Sequence, residues 1–110
     1  MLEGKFTQKL LKALRSAPEL HEAVIWKHSD WITAGVPDFS VTINGLTTWF
    51  EVKVAPNVPT KLQAYYLEKL QPRAYLVTVS KFGTVMIHDV ATRDMEDAVN
   101  LIVELSLEEI

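Results

Sequence analysis

DFSVTINGLTTWFEVK, residues 38–53, is the stretch that decides the fold. Two alternating runs flank Asn44-Gly45, a dipeptide suited to the two positive-φ positions of a type I′ turn, and together they mark a β-hairpin. A two-residue turn fixes the register, because Ile43 and Leu46 must then face each other. Phe39 meets Phe50 and Val41 meets Thr48 on that face, and Val52 and Val54 extend it. The other face carries Asp38, Ser40, Thr42, Thr47, Trp49, Glu51 and Lys53. Asp38 then falls opposite Glu51, with Lys53 two residues further on the same side.

Opposed residues on one face of a hairpin have Cβ atoms about 4.5–5.5 Å apart. Two carboxylates that close repel unless a proton or a cation lies between them. A hard cation with oxygen ligands, Mg²⁺ or Mn²⁺, resolves the conflict. The Lys53 ammonium alongside can orient a water or support charge developing on a phosphate. The structural alternative is that Asp38 closes a strand after Pro37 while Glu51 and Lys53 decorate a solvated face.

Upstream of the hairpin, residues 2–16 predict a helix. Leu2, Phe6, Leu10, Ala13, Leu14 and Ala17 recur at helical spacing, and Pro18 stops the run. Glu3 lies in its first turn, where a carboxylate interacts favourably with the helix dipole. Ala23 to Trp26 predict a short strand, followed by a polar turn, Lys27 to Asp30. His28 reads as a surface histidine, with a ligand or phosphate contact as the alternative. Gly35 before Pro37 suits a tight turn or the close approach of a ligand.

Downstream, Thr60 is an N-cap with Gln63 three residues on, the spacing of a capping box. Leu62, Tyr66, Leu67 and Leu70 give the helix an apolar face that ends before Pro72. Lys61 and Lys69 are solvated unless a phosphate comes within their reach. Residues 74–79, AYLVTV, predict a buried strand, and Thr84 to Ile87 another. Asp94 to Leu105 predict the last helix. Met95, Ala98, Val99, Ile102 and Leu105 line one side of it, while Leu101, Val103, Leu107 and Ile110 add apolar surface elsewhere. That surplus suggests self-association, most simply as a homodimer.

The predicted fold class is therefore α/β, a mixed sheet flanked by helices in the order αβββαββα. Its 110 residues suffice for one domain, residues 1–110, with a single core. A hydrophobic fraction of 48% argues against disorder, and the absence of cysteine removes disulfide and thiolate chemistry. No apolar run approaches the roughly 18 residues of a membrane span, and the N-terminus lacks a signal-peptide core, so a cytoplasmic protein is expected. The net charge of −3 hides an asymmetry: residues 1–88 sum to +3 and residues 89–110 to −6. The basic body is the part suited to phosphates.

GVPDFS at 35–40 followed by EVK at 51–53 resembles the PD-(D/E)XK nuclease superfamily. Within it, the chain is most similar to the small stand-alone VRR-NUC domains, the virus-type replication-repair nucleases of phages. The resemblance spans nearly the whole chain: an acid early in the first helix, Gly-x-Pro-Asp, Glu-x-Lys, then a helix opening with glutamine. It implies Asp38 and Glu51 as metal ligands, with the backbone carbonyl of Val52 as a third. Lys53 becomes the catalytic lysine that positions the attacking water, and Gln63 the glutamine beside the site. Glu3 becomes the first-helix acid near the metal or its waters, with Glu19 and Glu22 as competing acids.

The implied activity is Mg²⁺- or Mn²⁺-dependent endonucleolytic hydrolysis of DNA, by in-line attack leaving a 5′-phosphate and a 3′-hydroxyl. The implied setting is replication, recombination or repair, in the cytoplasm of a bacterial host if the gene is phage-borne. The small size resembles Holliday-junction resolvases, so branched DNA and a homodimer are the expected partners. A non-catalytic DNA-binding or scaffold domain is the alternative. A restriction-type reader of sequence is disfavoured, because the chain has no length to spare for a recognition subdomain.

Overall fold

The computed structural model describes residues 2–28 and 34–108. Ser29, Asp30 and Ile110, named above, lie outside the described residues. The chain opens with helix α1, Glu3–Arg15, and a 3₁₀ turn, Pro18–Leu20. Strands β1 (Val24–Lys27), β2 (Phe39–Ile43) and β3 (Leu46–Val54) follow. Helix α2 (Lys61–Lys69) leads to β4 (Ala74–Val79), β5 (Val85–Ile87) and β6 (Val90–Ala91), and α3 (Met95–Leu107) comes last. The six strands form one sheet in sequence order. Every neighbouring pair is antiparallel except β3 and β4, which run parallel with α2 as their crossover. The α/β class and the mixed sheet match the sequence-based expectation; β6 is the added element. Two residues are too few for alternation to reveal, and the turn into β6 rests on His88, which takes a left-handed φ of 53°.

The hairpin has the expected register: Phe39 pairs with Phe50, Val41 with Thr48 and Ile43 with Leu46. Asn44 (φ 53°) and Gly45 (φ 77°) supply the two positive-φ turn positions. Phe39 stacks on Phe50 at 5.0 Å between ring centroids, and Phe50 on Tyr75 at 5.8 Å. Such aromatic pairs add about 0.5–1.5 kcal/mol each beyond area burial. This face, with Val52, Val54, Val77, Val79 and Ile87, packs against Phe6, Leu10 and Leu14 of α1 and Ala98, Ile102 and Val103 of α3.

The helix reading of α3 needs one correction. Val103, assigned to surplus apolar surface, is buried, and Leu101 and Leu105 pack against the core. The helix lies deep enough in the angle between α1 and the sheet to cover more than one stripe, which takes Leu101 and Val103 out of the surplus surface. Leu107 remains exposed. Arg73 secures the helix end. Its guanidinium donates to the carbonyls of Thr47, Ser106 and Glu108 and to Thr48 Oγ1, tying the last turn of α3 to the start of β3.

On the opposite face α2 lies across the sheet with none of its residues fully buried. Gly35 is what lets it approach. Its φ is +87°, and a Cβ there would stand 2.5 Å from Leu62 Cγ and 3.0 Å from Tyr66 Cδ2. The close neighbour that glycine admits is a helix of the same chain.

Candidate active site

The site sits where β3 outruns β2. The ladder between them ends at Phe39 and Phe50, and β3 continues four residues to Val54. Asp38 is therefore one residue outside the ladder, not the ladder partner of Glu51 that the register placed there. Pro37 precedes it and cannot donate, so pairing starts at Phe39. The overhang leaves the β2-facing amides of β3 without strand partners, and two carboxylates take them. Val52 N–H donates to Asp38 Oδ2 at 2.7 Å, and Val54 N–H donates to Glu3 Oε2 at 3.3 Å. Asn57 Nδ2 holds the same Glu3 oxygen at 3.1 Å. Since N–H and C=O of one strand residue point the same way, the Val52 carbonyl faces the Asp38 carboxylate's side of the strand.

Glu51 lies between these groups and is 1% exposed. Lys53, whose side chain is 12% exposed, brings Nζ to 3.9 Å from Glu51 Oε2. Gln63 Nε2 donates to the same oxygen at 3.4 Å. Gln63 also forms the expected capping box: its Oε1 accepts from Thr60 N–H at 2.8 Å, and its own N–H donates to Thr60 Oγ1 at 3.1 Å. One side chain thus starts α2 and touches the site. Glu51 Oε1, fully buried, has no hydrogen-bond donor while the group is ionised; protonated, Glu51 hydrogen-bonds to Asp38.

The electrostatics follow from this crowding. Burial first, then the nearby Asp38 carboxylate, push the Glu51 carboxyl up to about 9, and Lys53 offsets this only in part. At neutral pH Glu51 keeps its proton unless further positive charge arrives. A buried carboxylate oxygen without a partner, a second acid beside it and a backbone carbonyl on the same edge make a donor set that suits a hard divalent cation. Among the described residues, no group of three or more His, Asp or Glu is arranged to hold a metal ion. The set consists of two acids supplemented by backbone, with Glu3 engaged by two nitrogen donors.

The structure brings together Glu3, Asp38, Glu51, Val52, Lys53 and Gln63. Glu19 and Glu22 are exposed and make no hydrogen bond to this group. His28 is half-buried beside it and is not the plain surface residue expected. Its Nε2 lies 2.9 Å from Ser40 Oγ, its ring stacks on Trp49 at 5.3 Å, and its backbone N–H donates to the Asp38 carbonyl. Burial lowers its pKa, and Asp38 partly restores it. A pocket of about 250 Å³ opens between α1 and the end of β1, lined by Glu3, Gly4, Thr7, Lys27, His28 and Asp38. Thr7, Lys27 and Asn57 carry no sequence signal. Thr7 sits on the apolar stripe of α1, Lys27 ends an edge strand, and Asn57 belongs to an irregular loop.

No family model and no curated protein matches the chain.

Proposed function

We propose that this chain is a Mg²⁺- or Mn²⁺-dependent endodeoxyribonuclease of the PD-(D/E)XK type, of the small VRR-NUC kind, selective for branched DNA and acting as a homodimer. One observation carries the proposal. A fully buried glutamate with an orphaned oxygen is held against a second carboxylate and a lysine at an open strand end. A structural sheet gains nothing from that arrangement, since an ionised Glu51 leaves a buried acceptor unmade at a cost of about 1–3 kcal/mol and otherwise the pair must hold a proton in place of a cation. A divalent cation held by Asp38, Glu51 and the Val52 carbonyl would supply the positive charge that activates phosphate and water.

The protein's own groups divide the remaining work. Lys53 orients the attacking water in line with the scissile phosphorus and supports charge on the pentacoordinate transition state. Gln63 holds Glu51 in place from the start of α2. Glu3 ties α1 to the strand edge and adds a third carboxyl group near the cluster. In-line displacement then yields a 5′-phosphate and a 3′-hydroxyl.

The direct test is nicking of labelled linear, flap and four-way DNA with Mg²⁺ or Mn²⁺, comparing wild type with Lys53→Ala. Divalent-dependent cleavage by wild type and its loss in the variant support the proposal. Retained DNA binding without cleavage on any substrate would instead favour a non-catalytic DNA-binding domain. The two-acid composition of the cluster is the feature that keeps this second possibility open.

A further inference from the structure

A second feature lies in line with the site. Ala55 and Ser80 follow directly on the ends of β3 and β4, about 6.6 Å past Lys53 along the strand direction. The bond from Ala55 N–H to the Val79 carbonyl, 2.7 Å, carries the parallel register that far. There Ala55, Pro56, Ser80, Lys81 and Phe82 line a mostly apolar cavity of about 490 Å³. Phe82, at the tip of the β4–β5 turn, is 85% exposed. The turn that presents it is firmly built. Ser80 Oγ accepts from Phe82 N–H and Thr84 N–H, Gly83 N–H donates to the Ser80 carbonyl, and Ser80 N–H donates to the Thr84 carbonyl. Lys81 Nζ stands 5.3 Å from the Phe82 ring centroid.

A phenyl ring fixed in water adds nothing to the core, and its hydration is unfavourable. Its complement is a flat apolar partner joined to negative charge. We infer that Phe82, Lys81 and the slot floored by Ala55 and Pro56 form a stacking site for one unpaired nucleobase, with Lys81 on its phosphate. A duplex keeps its bases inside the stack, so this site selects DNA with an unpaired nucleotide beside the scissile phosphate. The inference rests on the proposed nuclease activity and names its substrate class.

The test is fluorescence anisotropy in EDTA with labelled 30-mer duplex, a duplex bearing a single-stranded flap, and a four-way junction. Wild type, Phe82→Ala, Phe82→Trp and Lys81→Gln are compared. Stacking of one base is worth a factor of about 5 to 140 in affinity. Phe82→Ala is expected to lose that factor on the flap but not on blunt duplex or on the fully paired four-way junction, and Phe82→Trp to retain it. A 2-aminopurine at the unpaired position is expected to be quenched by wild type and not by Phe82→Ala. Flap affinity unchanged in Phe82→Ala, with wild-type cleavage intact, overturns this inference alone. The same follows if the variant loses self-association while its flap affinity is unchanged, since Phe82 is then a protein contact. Wild type that neither binds nor cuts any of the three DNAs overturns the nuclease proposal together with this one.

Discussion

Replacing Glu51 by glutamine keeps the side chain's shape and removes its charge, and the consequence for stability can be worked out. The folded carboxyl titrates at about 9 against an ordinary value of 4.5. Between those limits the folded state holds a proton that the unfolded chain has released, so stability falls as pH rises through that window. The slope is at most about 1.4 kcal/mol per pH unit, and from pH 5 to pH 8 the loss is on the order of 4 kcal/mol. That is a large share of the 5–15 kcal/mol that holds a typical domain together. In Glu51→Gln the loss disappears, because the amide can still accept from Gln63 and can donate to Asp38. The variant is therefore expected to be more stable than wild type at pH 8 in EDTA, with the two converging towards pH 5. Urea denaturation followed by tryptophan fluorescence at each pH measures this. His28, whose lowered pKa acts in the opposite sense, is common to both proteins and cancels in the difference. Adding Mg²⁺ at a hundredfold excess over its Kd should return about 2.7 kcal/mol to wild type and nothing to the variant. A flat wild-type profile from pH 5 to 8, or a variant less stable than wild type at pH 8, refutes the electrostatic account of the site.

Three further outcomes are expected. Lys53→Ala should cut cleavage at least a hundredfold while DNA affinity changes little, measured by single-turnover kinetics beside anisotropy. Gly35→Ala should destabilise by about 2–4 kcal/mol in urea melts, because it combines a left-handed φ with a 2.5 Å clash against Leu62; Leu62→Ala in the same chain should restore part of the loss. Arg73→Ala should cost about 2–4 kcal/mol and raise amide exchange in the last turn of α3, because four hydrogen bonds to β3 and the helix end vanish together.

The hairpin was legible because two local rules agree on it: a turn that demands Asn-Gly and an alternation that demands one buried face. From these the register followed, and with it the meeting of Glu51 and Lys53. Gln63 was legible as a cap because the capping box is a spacing of three. What escaped was set by the third dimension. That Asp38 and Glu3 would each hold an amide of the β3 overhang depends on where β2 stops and how α1 docks, and neither is written in periodicity. Val103 appeared surplus because a helical wheel assumes one neighbour, whereas α3 has α1 on one side and the sheet on another. The Arg73 clamp joins residues 25 to 35 positions apart, beyond the range of any local pattern.

The four-residue overhang of β3 also ties assembly to capability. Its acids come from the opening turn of α1, the residue before β2 and the end of β3, while the glutamine comes from α2. An unfolded or half-docked chain keeps these groups apart as ordinary, well-hydrated side chains. The cluster exists only once all four segments have closed on one another, so a nascent or damaged copy lacks it.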